Sequence, residues 1–179
     1  MHRDLAIVAT LAFVALLSIL EPSSPAVARE PEAARLWNAP SIAWHDIASG
    51  VRESSRSGRP VVMLFHASWC TSCKQYREVW KDAGVVEASK NFVMILVDVD
   101  KDPDANGAFS PDGTYVPRTL FLNSEGDVLT AYHGKDPEYP HTIDIKSPDE
   151  LLSIMRRAAA EMPSQSAPQL PPSDRRAEN

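Results

Sequence analysis

The sequence predicts a three-layer α/β domain, a central mixed β-sheet with helices on both faces. Three features carry that reading. The runs 61–66 (Val-Val-Met-Leu-Phe-His) and 92–97 (Phe-Val-Met-Ile-Leu-Val) are too continuously apolar for half-exposed strands, so they belong in the middle of a sheet. Between them Tyr76, Val79, Trp80 and Ala83 recur at helical spacing. Near the far end Ser147-Pro148-Asp149-Glu150 is a helix start, with Ser as N-cap, Pro at the first position and Glu closing a capping box.

In chain order, 41–44 reads as a short first strand. Asp46 caps a helix that buries Ile47 and Val51, and Gly58 and Pro60 close it. His45 reads as a surface or capping residue. The central strand 61–66 follows, expected to run parallel to a second buried strand at 91–99, and between them a helix starts at Thr71. Gly84 ends or bends that helix, with a further turn at 85–90. Residues 101–115 are rich in Asp, Pro and Gly, a loop with one helical turn. Val116-Pro117-Arg118 leads into a third strand at 119–122, a hairpin turn at 123–126 and an antiparallel return strand at 127–132. After an irregular stretch at 134–142, the last helix buries Leu151, Leu152, Met155, Ala158 and Ala159.

The 179 residues suffice for one domain with tails, and 44% hydrophobic with 23% charged residues is ordinary for a globular chain. A net charge of −6 and a pI near 5.3 argue against nucleic acid as a partner. The start is different. A short charged opening precedes the apolar run 5–20, residues 21–25 break it, and Ala26-Val27-Ala28 is a small-x-small cleavage signature. This predicts a signal peptide over 1–28, cut after Ala28, then a linker over 29–40, the domain over 41–162 and a disordered tail over 163–179. The competing reading is an uncleaved membrane anchor, for which 5–20 is slightly short. Either places the domain in an oxidising compartment, periplasmic or extracellular.

Only two cysteines occur, Cys70 and Cys73, so the pair is an active site or half of a metal site rather than a disulfide framework. The strand 61–66 delivers them through a turn of small residues to a helix N-terminus. There the orphan N–H groups and the positive end of the helix dipole favour thiolate over thiol, so the first sulfur becomes a nucleophile near neutral pH. The second is close enough to join it. The expected centre is a dithiol/disulfide pair.

Trp69-Cys70-Thr71-Ser72-Cys73-Lys74 resembles the W-C-x-x-C-K signature of the thioredoxin superfamily, and the element order also matches over 41–162. Within it, the segment 109–122 around Val116-Pro117 is similar to secreted or ER-lumenal single-domain thioredoxins of the anterior-gradient type and their bacterial periplasmic counterparts. The resemblance implies a thioredoxin-like fold and a thiol–disulfide oxidoreductase, with Cys70 attacking and Cys73 resolving. Pro117 would be the cis-proline, the Val116 backbone the rest for a substrate strand, and Trp69 the aromatic flank. The implied partners are exported proteins with cysteine pairs and a redox partner that recycles the dithiol. No cofactor and no metal are implied.

This chain also departs from the family. Thioredoxins carry a buried Asp six residues before the first cysteine, and here Leu64 stands there, which leaves His66 as the candidate proton shuttle. The Thr71 and Ser72 hydroxyls are expected to donate to the thiolate. Redox direction stays open. Two other functions fit the same residues: a Cu(I) carrier using both thiolates with His66 or His133, and a peptide-binding chaperone module without redox activity. Asp102-x-Asp104-x-Asn106-Gly107 copies half an EF-hand loop, but Gly113 stands where the closing Glu is needed, so it reads as a solvated acidic loop.

Overall fold

The computed structural model describes residues 30–162; the expected leader (1–28) and tail (163–179) lie outside them. The sheet has four strands, β1 (Trp44–His45), β2 (Val61–His66), β3 (Val93–Asp98) and β4 (Arg118–Leu122), in the order β1-β3-β2-β4. β2 runs parallel to β3, with Val61 beside Val93 and His66 beside Asp98, and antiparallel to β4, with Leu64 opposite Thr119. Every residue of β2 is buried. The mixed sheet and its central strand are as the apolar runs predict.

The helices are α1 (Ile47–Ser57), α2 (Thr71–Val79), α3 (Ala83–Ser89), α4 (Pro103–Ala108) and α5 (Pro148–Glu161). Side chains alternate across a strand, so Met63 and its register partner Ile95 share one face while Val62, Leu64 and His66 share the other. The first face meets α1, where a Cβ on Gly50 would lie 2.4 Å from Ile95. The second meets α2, whose Tyr76 hydroxyl is hydrogen-bonded to Thr119 at 3.2 Å. Helices thus cover both faces.

Several local expectations need correction. Asp46 does cap α1, accepting from the Ser49 N–H at 2.6 Å, but the buried face is Ser49, Gly50 and Ser54. Val51 is exposed and Ile47 only half-buried, because α1 lies so close to the sheet that only small residues fit the contact. His45 is half-buried in β1 and does not cap, and burial holds its imidazole below the usual histidine range. The helix carrying Tyr76 and Trp80 stops at Val79. Asp82 caps a separate α3 by accepting from Gly84 and Val85 N–H, so Gly84 opens a helix instead of ending one, and Ala83 is exposed.

Beyond β4 the return strand shrinks to one bridge, Leu122 with Val128, because the chain turns at Leu129–Tyr132. The turn is held by Tyr132, whose hydroxyl donates to Glu161 at 2.6 Å and whose ring packs on Phe121. Ser147 caps α5, but Glu150 does not close the box: its carboxylate accepts from the N–H groups of Lys135 and Asp144, tying down the loop before the helix. The buried stripe of α5 is Leu151, Ile154, Met155 and Ala158, with Leu152 and Ala159 half-buried. The EF-hand-like stretch forms α4, and Asn106 turns inward to Arg118.

The stretch expected as a linker is packed. A 3-10 turn at Ala34–Trp37 buries Ala34 and Trp37 completely. The Trp37 carbonyl accepts from the Trp44 indole N–H at 2.6 Å, and its ring meets Tyr76 edge-on at 6.3 Å and His66 at 5.4 Å. This turn therefore closes the α2 face of the sheet directly beneath the site.

Candidate active site

β2 ends at His66, and Ala67-Ser68-Trp69 carries the chain to Cys70, the N-cap of α2. Cys70 has extended backbone angles, so its side chain folds back over the first turn and Sγ accepts the Cys73 N–H at 3.0 Å. The two cysteines are joined as a disulfide. Cys73 is fully buried and Cys70 is 5% exposed, so an incoming sulfur meets Cys70 first. Thr71 and Ser72 are exposed, and among the described residues neither hydroxyl bonds to a sulfur; the backbone N–H of Cys73 is the donor instead.

The Val116–Pro117 peptide is cis, which sets the Val116 carbonyl oxygen 3.6 Å from Cys70 Sγ. Val116 is half-buried, and among the described residues its N–H meets no acceptor. Trp69 is 64% exposed, held at the rim by its indole N–H donating to Asp100 at 3.0 Å. Sequence-expected Trp69, Cys70, Cys73, Val116 and Pro117 are thus brought to one end of the sheet.

Leu64 is fully buried in the strand that leads to the cysteines. His66 is buried on the face that α2 covers, and neither ring nitrogen has a partner among the described residues. Burial, opposed in part by Asp98 and reinforced by Arg77 and Lys101, pulls its pKa down to about 4. At neutral pH the imidazole is therefore uncharged. It borders a cavity of about 300 Å³ that Asp46, Asp98, Lys101 and Asp102 also line. His133 lines a different cleft with Lys135, Glu150 and Arg157. The two histidines named for a copper site do not converge, and among the described residues no group of three His, Cys, Asp or Glu side chains is placed to hold an ion.

The His66 shift makes stability depend on pH. Its folded pKa lies below the ordinary 6.5, so between about 6.5 and 4 the unfolded chain binds the extra proton. Unfolding free energy should fall as pH drops through that window, by up to about 3 kcal/mol from this residue. Urea titrations at a series of pH values should show the loss, and His66→Leu should flatten it. An equally steep fall in the variant would assign the effect elsewhere.

A thioredoxin-like family model matches residues 43–124, the span from β1 through the cysteine pair and the cis-proline to the end of β4. The thiol:disulfide interchange protein DsbD of Ralstonia nicotianae is 34% identical over 87 residues, covering 46% of this chain and 14% of that protein. Anterior gradient protein 3 of Mus musculus is 26% identical over 110 residues, covering 61% of this chain and 66% of that protein. Among solved structures, a thioredoxin from Thermus thermophilus superposes with a TM-score of 0.52 at 21% identity, covering 69% of this chain and 91% of that one. Residues 43–124 thus form a thioredoxin-like domain. The chain spans about one-seventh of the DsbD protein and about two thirds of the anterior gradient protein.

The cis-proline rests on a support that sequence reasoning missed. Arg118 is fully buried. It donates to the Tyr115 carbonyl at 2.9 Å and to the Asn106 side-chain oxygen at 2.8 Å, and lies on the Phe65 ring at 4.2 Å. Thr142 donates to the Pro117 carbonyl at 2.7 Å, and the Thr119 N–H donates to the His141 carbonyl at 2.8 Å. The cis-proline edge is thereby held from both sides. The only hint in the sequence was an arginine placed between a proline and an apolar strand.

Proposed function

We propose that this protein is a thiol–disulfide oxidoreductase acting on the cysteines of exported proteins through Cys70 and Cys73. The observation that carries the reading is the disulfide at the N-terminus of α2, with Cys70 as its accessible sulfur beside the Val116 backbone. In the reducing direction, the Cys70 thiolate attacks a substrate disulfide. The substrate S–S bond breaks, one substrate thiolate leaves, and a mixed disulfide forms on Cys70. Cys73 then loses its proton and attacks the Cys70 sulfur, forming the Cys70–Cys73 disulfide and releasing the second substrate thiolate. Two electrons pass to the substrate, and the leaving thiolates take up protons. The same bonds exchanged in reverse oxidise a substrate dithiol.

The Cys73 N–H and the end of α2 favour negative charge on Cys70, holding it as the attacking thiolate of the first step. His66 is the proposed relay for the Cys73 proton: it lies under α2, neutral and without a hydrogen-bond partner among the described residues. Val116 and Pro117 offer an extended backbone edge to the substrate, and Trp69 flanks it. The reading places the protein outside the cytosol, with 1–28 as a removed leader, and requires a further protein that recycles the pair.

The test is direct. The dithiol form, mixed with excess insulin, should lose both of its thiols as two thiols appear on insulin, one insulin disulfide being reduced per Cys70/Cys73 pair. Full retention of its own thiols would reject the reducing direction, and failure of the disulfide form to oxidise a dithiol peptide as well would reject the reading.

A further inference from the structure

Among the described residues the exposed large apolar side chains are Leu36, Val51, Trp69 and Tyr139. Two of them adjoin the site. Trp69 precedes Cys70, and Tyr139 stands edge-on against Tyr115 at 5.0 Å, one residue before Val116. No sequence pattern singled out Tyr139, because it lies in an irregular stretch.

Tyr139 is held where it is by a set of polar contacts around one buried histidine, His141. Asp112 accepts from the Tyr115 hydroxyl and lies 3.0 Å from His141 Nδ1, and the Tyr115 hydroxyl accepts the His141 N–H at 2.9 Å. His141 is 3% exposed. Asp136 accepts the Tyr139 N–H at 3.0 Å, and Thr142 holds the segment to Pro117. A solvated loop does not need this many fixed contacts. They present an aromatic ring beside the Val116 edge at little cost in side-chain entropy when something binds there.

We propose that Tyr139 is a specificity-determining contact for the exchange reaction, favouring polypeptide substrates with an apolar or aromatic residue two positions from the reacting cysteine. Asp112, Tyr115 and His141 act as its positioning residues. This rests on the oxidoreductase reading above. A strand lying along Val116 with its cysteine on Cys70 projects neighbouring side chains to alternate faces. Residues two positions to either side of the cysteine share its face, and these are the ones set toward the Tyr115–Tyr139 side and Trp69.

The experiment compares three oxidised substrates: a disulfide peptide with phenylalanine two positions to either side of its cysteines, the same peptide with serine there, and glutathione disulfide. The intact protein should prefer the phenylalanine peptide by about fivefold in KM, the size of one aromatic pair. Tyr139→Ser should bring that preference to within about twofold of unity, leaving glutathione exchange unchanged. Val51→Ser, an exposed apolar residue on α1, should leave the preference intact. Both variants change exposed side chains, so folding is not at stake. His141→Gln should weaken the preference with glutathione exchange kept, as expected for a positioning residue. A preference that survives Tyr139→Ser, no preference in the intact protein, or parallel loss on all three substrates would overturn the proposal. Absence of glutathione exchange in the intact protein would instead overturn the reading beneath it.

Discussion

Cys73→Ser is expected to turn the protein into a covalent trap. Cys70 can still attack, but no sulfur remains to resolve the mixed disulfide, so adducts should accumulate and show as reducible high-mass bands. Cys70→Ser should show none, and turnover in both variants should fall below detection, because neither half of the two-step exchange proceeds alone. The asymmetry follows from burial: Cys70 is 5% exposed and Cys73 fully buried. Adducts on Cys73 in the Cys70→Ser protein would reverse the assigned roles.

Trp37→Ala is expected to cost about 3–5 kcal/mol of folding stability, the range for deleting a fully buried large aromatic. That is a large share of the roughly 5–15 kcal/mol that holds a domain together. Trp37 carries Arg77 over its ring at 5.4 Å and touches both Tyr76 and His66, so its loss opens a hole beneath α2. Urea denaturation should show the midpoint shift. A change under about 1 kcal/mol would mean that the stretch before β1 is not integral to the fold.

What the sequence made legible was local. The apolar runs that became β2 and β3 needed no partner to be recognised, and the cysteine pair, Trp69 and Val116-Pro117 lie within short motifs whose chemistry depends on spacing. What it concealed depends on distant contacts. Trp37 sits alone between prolines and charges, with no periodicity to mark it as core. Val51 looks like a buried position until Gly50 is found against Ile95, which rotates the helix face. The stretch 127–132 follows a hairpin turn as a return strand would, yet Tyr132 is recruited by Glu161 of α5. Glu150 has the spacing of a capping box and serves two loop N–H groups instead. Arg118, Asp112 and His141 meet only because the loop before β4 and the one before α5 fold onto the same edge.

The central claim is that Cys70 and Cys73 form a working redox pair, and the most direct measurement is a redox equilibrium. The protein is held in graded mixtures of reduced and oxidised thiol, quenched by alkylation, and its free cysteines counted. The account predicts one reversible two-electron transition, gaining two thiols per chain and absent from both Cys→Ser variants. A midpoint near about −270 mV would set the pair to reduce substrates, and one near about −120 mV to oxidise them. A disulfide that shows no reversible transition across that span would contradict the account.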